Sequence, residues 1–164
     1  MAMRAEDRAD LRELLAGQRQ AALGTVGEGA PFVSMVLYAL EARPGAAPAP
    51  LVHVSGLAAH TRHLRADPRA SLLVMRPDPG EGDPQALSRV TLQCLAEAVP
   101  ADDPGYAAAR AAYLGRLPGQ EYLFGFLDFT LFRLVPQEAR YVGGFARAFS
   151  LDARRLAEVF APTR

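Results

Sequence analysis

Apolar residues recur at helical spacing in residues 7–16, where Leu11, Leu14 and Leu15 share one face and Gly17 follows. Beyond this predicted helix the hydrophobic period shortens to two. Residues 20–26 read as a strand, Gly27-Glu28-Gly29 as a hairpin-type turn, and residues 32–40 as the next strand. In that second strand Ser34, Val36 and Tyr38 fall on one face, and Met35, Leu37 and Ala39 on the other. Residues 42–50 are rich in Pro, Ala and Gly and read as a surface loop.

The segment 51–75, LVHVSGLAAHTRHLRADPRASLLVM, reads as strand, polar turn, short helix and strand. Its first four residues are an apolar run suited to a buried strand. Ser55-Gly56 breaks the run, and Ser55 is placed to cap a helix over residues 57–66. Leu57, Thr61 and Leu64 share a face of that helix, and Asp67-Pro68 ends it before a strand over residues 70–75. The turn gathers Ser55, His60, Thr61 and Arg62 at a helix N-terminus, where free N–H groups and the dipole favour an anion. A phosphate pocket is one reading; a plain capped connector between two strands is the other.

Residues 77–85 form an acidic loop with Pro and Gly, and residues 88–99 a long strand. Val90, Leu92 and Cys94 share one face of it; Arg89, Thr91 and Gln93 share the other. Asp102 or Asp103 is placed to cap a helix over residues 104–117. Residues 123–135, with Phe124, Phe126, Phe129 and Phe132, read mostly as a strand interrupted at Asp128. A last strand starts at residues 139–142, bends at Gly143-Gly144 and continues to Phe149. Ser150 then caps a terminal helix over residues 152–160. Six or seven strands, often consecutive, with helices at the periphery predict an antiparallel α+β domain closed into a small barrel. The expectation is one domain over 1–164, with a helical segment in 1–19 and another in 150–164.

Composition narrows the chemistry. The formal charge is zero, with eighteen basic residues, all arginine, against eighteen acidic ones. Scattered arginines and neutral charge disfavour a nucleic-acid surface. Without lysine there is no imine chemistry on a lysine side chain. The lone Cys94 forms no internal disulfide, which fits a reducing compartment, and no apolar run is long enough to span a bilayer. The N-terminal residues are charged and amphipathic rather than signal-like, so a cytoplasmic location is expected. No G-x-S-x-G elbow or Ser–His–Asp arrangement is visible, and no catalytic side chain stands out. His53, His60 and His63 complete no zinc pattern, so no metal site is assigned.

The order of PFVSMVLYAL, LVHVSGLAAHTRHLRADPRASLLVM and SRVTLQCLAEAV resembles the pyridoxamine 5′-phosphate oxidase-like superfamily of FMN-binding split β-barrels. The Ser-x-Leu-Ala-x-His-Thr turn and the segment VGGFARAF resemble its heme-utilisation-related branch. The resemblance covers about residues 10 to 150. It implies an antiparallel six- to seven-stranded split β-barrel, a homodimer with FMN at the subunit interface, and a flavin-dependent oxidoreductase of a small-molecule substrate. Carried over residue by residue, the phosphate falls to Ser55, His60, Thr61 and Arg62, with Arg89 from the later strand. The isoalloxazine ring falls to Ser34, Met35, Val36 and Tyr38. Arg89 also suits a phosphate because a charge on an inner barrel face needs a partner, unless it lies on the solvent face beside the acidic loop.

The departures are specific. The turn has His60-Thr61, and the preceding strand Ala39, where the oxidase itself carries basic residues. The Arg- and His-containing segment that grips pyridoxal phosphate has no clear counterpart. Oxidation of pyridoxamine phosphate is therefore not expected. Heme, with an exposed histidine as axial ligand, is the alternative cofactor, although the C-terminal extension of larger members of that branch has no counterpart in the sequence. FAD, a deazaflavin or a non-catalytic binding module are further readings.

Overall fold

A computed structural model describes residues 3–161; residues 1–2 and 162–164, the outer ends of the two expected terminal segments, lie outside it. Helix α1 (Ala5–Gly17) is followed by strands β1 (Gln20–Gly27), β2 (Ala30–Leu37), β3 (Ala39–Glu41) and β4 (Ala49–Ser55). Helix α2 (Ala59–Ala66), strands β5 (Arg69–Met75) and β6 (Arg89–Ala98), and helix α3 (Tyr106–Arg116) come next. Strands β7 (Phe129–Val142) and β8 (Ala148–Asp152) precede helix α4 (Ala153–Phe160). Short 3-10 segments occupy Pro84–Ala86 and Pro118–Gly125.

The strands form one antiparallel sheet in the order β2-β1-β5-β6-β7-β4-β3, with β8 on the far half of β7. The two outermost strands, β2 and β3, are consecutive in the chain and meet at Tyr38. The Tyr38 N–H bonds the Arg19 carbonyl at 2.9 Å, and its hydroxyl donates to the Leu15 carbonyl at 2.6 Å. The sheet therefore curls until its edges come together at one residue. Among the described residues no ladder joins β2 to β4 across that seam, which leaves the barrel split there. The antiparallel split barrel is as expected. Among the described residues seven strands make the continuous path, with β8 paired beside it on β7, and the segment 32–40 divides at Tyr38.

Alternation decides what lies inside. Ala21, Leu23 and Thr25 of β1, Leu72 and Val74 of β5, and Val90, Leu92 and Cys94 of β6 all turn inward. Leu11, Leu14 and Leu15 of α1 join this core. A second cluster, with Leu51, Ala109, Tyr113, Leu117 and Leu131, lies between α3 and the outer face of β4 and β7. Both faces of β4 are thus covered, which explains its unbroken apolar run.

Several expectations are corrected. The aromatic stretch 123–128 is not strand: Pro118 opens a 3-10 segment through Gly125, and β7 starts at Phe129. Strand β7 then runs unbroken to Val142, because Pro136 sits at a bulge where its missing N–H breaks no rung. Gly143-Gly144 lies in the hairpin to β8, not within a strand. Asp152 caps α4 by accepting from the Arg155 N–H at 2.7 Å, whereas Ser150 lies in β8 and accepts from Arg140. Asp103 accepts from the Gly105 N–H at 2.7 Å, and α3 begins after that turn. Helix α2 starts two residues later than expected, with Ala58 at its cap, and Leu57 is exposed rather than on the buried face. Among the described residues no helix is long and apolar enough to cross a membrane.

Candidate functional site

The split between β2 and β4 opens into a cleft of about 270 Å³. Met35, Val36 and Leu37 line one wall, and His53, Val54 and Ser55 the other. Ala58 and His60 close it from α2, with Tyr113, Gln120 and Phe129 behind. A larger hollow of about 710 Å³ lies between the 42–48 loop and α4, but none of the candidate residues reaches it.

Helix α2 is held across β1 and β2 by two histidine–hydroxyl pairs. His60 Nδ1 lies 3.0 Å from Ser34 Oγ, and His63 Nδ1 lies 3.0 Å from Thr25 Oγ1. His63 is half-buried, edge-on to Phe32 with ring centres 5.3 Å apart, and its ring fills the space where a Gly27 side chain would stand. It is therefore packed against β1 rather than turned to solvent. His60 faces the cleft instead. Burial, followed by the charge of His63, lowers its pKa, so its ring is neutral near pH 7.

His53 lies flat on Phe124, with ring centres 3.8 Å apart and planes 7° from parallel. Arg110 stands over the outer face of the same Phe124 ring at 5.0 Å. Burial and then the Arg110 charge lower the His53 pKa to about 4. Its Nδ1 is buried with no hydrogen-bond partner among the described residues. Both imidazoles of the cleft are thus neutral nitrogen bases set in an apolar surround.

The turn into α2 carries a carboxylate. Ser55 Oγ donates to Asp128 Oδ2 at 2.7 Å and accepts from the Leu57 N–H at 3.2 Å. The Gly56 N–H bonds the Asp128 carbonyl at 2.6 Å, an approach so close that a Cβ on Gly56 would meet that oxygen at 2.9 Å. Ser55 therefore ties the turn to the 127–128 segment and is not the helix cap.

Of the residues singled out in the sequence, Met35, Val36, Ser55 and His60 line the cleft, and Ser34 bonds His60. The other four stand apart. Tyr38 is fully buried in the seam. Thr61 is fully buried on the core side of α2, its hydroxyl without a partner among the described residues. Arg62 is exposed and spends its guanidinium on the Leu57 carbonyl at 2.8 Å. Arg89 pairs with Met75 and Val142, at the end of β7 opposite Phe129, and donates to the Gln85 and Leu87 carbonyls. It is neither a barrel-lining charge nor part of this cleft. Sequence reasoning missed His53, Tyr113, Gln120 and Phe129 as wall residues. The only signal was a histidine set between two valines in a buried strand.

The pattern of the pyridoxamine 5′-phosphate oxidase family matches residues 8–143. The chain belongs to that family. It is 35% identical over 143 residues to the chloroplastic non-canonical heme oxygenase HOZ of Arabidopsis thaliana, covering 85% of this chain and 41% of that protein. It is 27% identical over 128 residues to the heme oxygenase HutZ of Vibrio cholerae, covering 72% of each. A solved heme-binding protein from Mycobacterium smegmatis superposes with a TM-score of 0.79 at 36% identity, covering 96% of this chain and 62% of that one. The chain thus spans less than half of the plant relative and under two thirds of the mycobacterial one. Within the family it falls on the branch whose members carry heme-related names.

Proposed function

We propose that this chain binds heme in the cleft at the barrel split and takes it as a substrate for oxidative breakdown, in line with the names of its relatives. The observation that carries this reading is the chemistry of the cleft. Met35, Val36, Leu37, Val54 and Phe129 give it apolar walls, and His53 and His60 add neutral nitrogen donors. A flat apolar macrocycle with a nitrogen-seeking metal suits such a lining.

The flavin expected from the superfamily fits less well. Its phosphate needs unengaged cations at the turn into α2, where the Asp128 carboxylate is held by Ser55 and the Arg65 guanidinium beside Gly56 donates to Thr130 Oγ1 at 2.9 Å. Arg62 is turned onto a backbone carbonyl and Arg89 is at the other end of the sheet. FMN-dependent oxidation is therefore not carried forward. Heme, when bound, supplies the iron at which dioxygen is activated. The chain's part is to keep the ring out of water and to present a nitrogen of fixed orientation.

The row Phe32, Val33 and Met35 on β2 is exposed beside the cleft, with Val33 at 68% and Met35 at 66%. We assign its cover to a second copy of the chain, the homodimer expected from the family; light scattering after gel filtration checks the mass. For the cofactor, the protein is titrated separately with hemin and with FMN, then desalted. Heme absorbance retained at about one per subunit, with FMN washed out, is the expected result. Adding ascorbate in air then bleaches the heme band and releases iron to a chelator. Retained FMN with no heme uptake reverses the assignment.

A further inference from the structure

We infer a second ligand site in the hollow between the start of α1, strand β8 and helix α4, and that it takes a small organic carboxylate with an apolar body. The hollow has a volume of about 440 Å³ and shares no lining residue with the cleft. The inference is therefore independent of what the cleft holds.

It starts from the arginines. Most give their guanidinium to an oxygen of the chain: Arg4 and Arg147 to Glu6 and Asp7, Arg154 to Glu158, and Arg12 to the Val159 carbonyl. Among the described residues, the side chains of Arg8, Arg19, Arg43 and Arg155 have no such partner. Two of these four, Arg8 and Arg155, line the same hollow. A guanidinium keeps its charge at any ordinary pH. The nearby carboxylates are already engaged. Glu6 and Asp7 serve Arg4 and Arg147, and Asp152 accepts from the Arg155 N–H as the cap of α4. Glu158 lines the hollow but pairs with Arg154 at 2.6 Å. The hollow is thus left positive, and two like charges on one cavity favour an anion between them.

The remaining lining selects the kind of anion. Ser150 Oγ accepts from Arg140 at 2.9 Å, which leaves its own O–H to donate. Among the described residues β8 pairs only with β7, and alternate residues of such an edge strand turn their N–H away from the sheet. The floor is hydrocarbon, with Phe149, Leu151 and Val159 buried beneath the opening. A bare phosphate or sulfate would meet the cations and leave this floor wet. A neutral hydrocarbon would cover the floor and leave the cations without a partner. A carboxylate on an apolar body satisfies both, and the volume lies within the range of small-molecule pockets. The walls are in place before binding, because Arg12 ties α1 to α4 through the Val159 carbonyl at 2.9 Å.

Octanoate is the probe, since its carboxylate and alkyl chain match the two parts of the lining. The full chain, carbon-13-labelled at the methyl groups of Met, Ala, Leu and Val, is titrated by NMR with octanoate and separately with octanol. Saturable shifts on octanoate addition are expected at Met3, Ala148, Leu151 and Val159. Arg8→Gln and Arg155→Gln should each weaken octanoate about fivefold, the worth of one partly exposed ionic contact, and the double variant more than either. Arg19→Gln, which removes an unpartnered arginine outside this hollow, leaves the affinity unchanged. Octanol should bind at least about fivefold more weakly than octanoate. Thermal unfolding without ligand shows that each variant is folded. Wild-type affinity in both Arg8→Gln and Arg155→Gln, or equal binding of octanol and octanoate, overturns the inference. So does the lack of saturable shifts at the four methyl-bearing residues, or shifts centred on the 42–48 loop or the cleft instead.

Discussion

Gly27 lies where β1 passes beneath the His63 ring, and Gly27→Ala tests how α2 is seated. A Cβ there falls within van der Waals contact of Nε2, Cδ2 and Cε1 of His63, all in one ring with nowhere to move but outward. Forcing extra volume into a packed site costs about 1–3 kcal/mol. Moving the ring also breaks the 3.0 Å bond to Thr25, whose side chain is buried at 3% exposure. An orphaned buried hydroxyl costs about 1–3 kcal/mol. The two losses overlap, since one displacement causes both, so about 2–4 kcal/mol is expected for the single variant. The discriminating measurement is a double-mutant cycle in urea, followed by circular dichroism. His63→Ala removes the ring and pays the hydroxyl cost once. On that background Gly27→Ala meets open space and costs under about 1 kcal/mol, since alanine also restricts the unfolded chain. A coupling of at least about 1 kcal/mol is expected. Equal costs in the two backgrounds, or a single-variant loss below about 0.5 kcal/mol, would refute the reasoning.

Three more outcomes follow from polar contacts. Tyr141 donates to Asp10 Oδ2 at 2.5 Å, and Arg76 bonds Oδ1 at 2.5 Å. Burial pushes the Asp10 pKa up, but Tyr141, Arg76 and Ser88 outweigh it and leave the pKa below the usual 3.8. Tyr141→Phe should cost about 1.5–3 kcal/mol at neutral pH, a loss seen in urea unfolding that shrinks as pH falls below 3.8 through the lower folded-state value. His53 shifts stability in the same direction over a higher pH range. Its pKa falls from 6.5 to about 4 on folding, so the native state binds fewer protons and stability declines between those values as acid is added. NMR should show His53 neutral down to about pH 5, and His53→Phe should flatten that limb of the stability curve. Glu41 pairs with Arg133 through Nε at 2.5 Å and NH2 at 2.9 Å, the two side chains being 12% and 16% exposed. Glu41→Ala leaves the guanidinium only the more distant Glu97, at 4.0 Å, and should cost about 3 kcal/mol in thermal or urea unfolding, whereas Glu41→Leu with Arg133→Met should recover most of it.

The parts of this molecule legible in its sequence are those where one face meets one core. The alternation of Leu23 with Thr25, and of Val90 with Leu92 and Cys94, is visible because β1 and β6 bury a single side. Legibility fails where two environments overlap. Phe124 and Phe126 read as strand because they are aromatic, yet the first covers His53 from a 3-10 segment and the second is exposed just after it. Residues 123–135 and 139–142 read as separate strands because local rules cannot foresee the bulge opposite Gln93 and Cys94 that carries β7 past Pro136. For the site, Ser55 and His60 of the turn line the cleft, while Arg89 lies apart from it. Its distance from the cleft is set by the register of β6 on β7, which no local pattern encodes.

The two histidine clamps show how such long-range placement is nevertheless written locally. His60 and His63 are three residues apart, which is about 4.5 Å along a helix axis. Adjacent strands lie about 4.8 Å apart. A helix laid across β1 and β2 therefore sets one imidazole over each strand, and Ser34 and Thr25 supply a hydroxyl to each. With one attachment the helix would still pivot; two fix its direction and its register together. The roles of the two rings then differ only through what lies beyond the hydroxyl. Over β1 the chain places Gly27, and the His63 ring sinks into the gap. Over β2 the sheet has reached its edge, and the His60 ring looks into the split. The cleft acquires a nitrogen donor held by the same kind of contact that seats the helix, so the conformation of that donor is settled by folding before any ligand arrives.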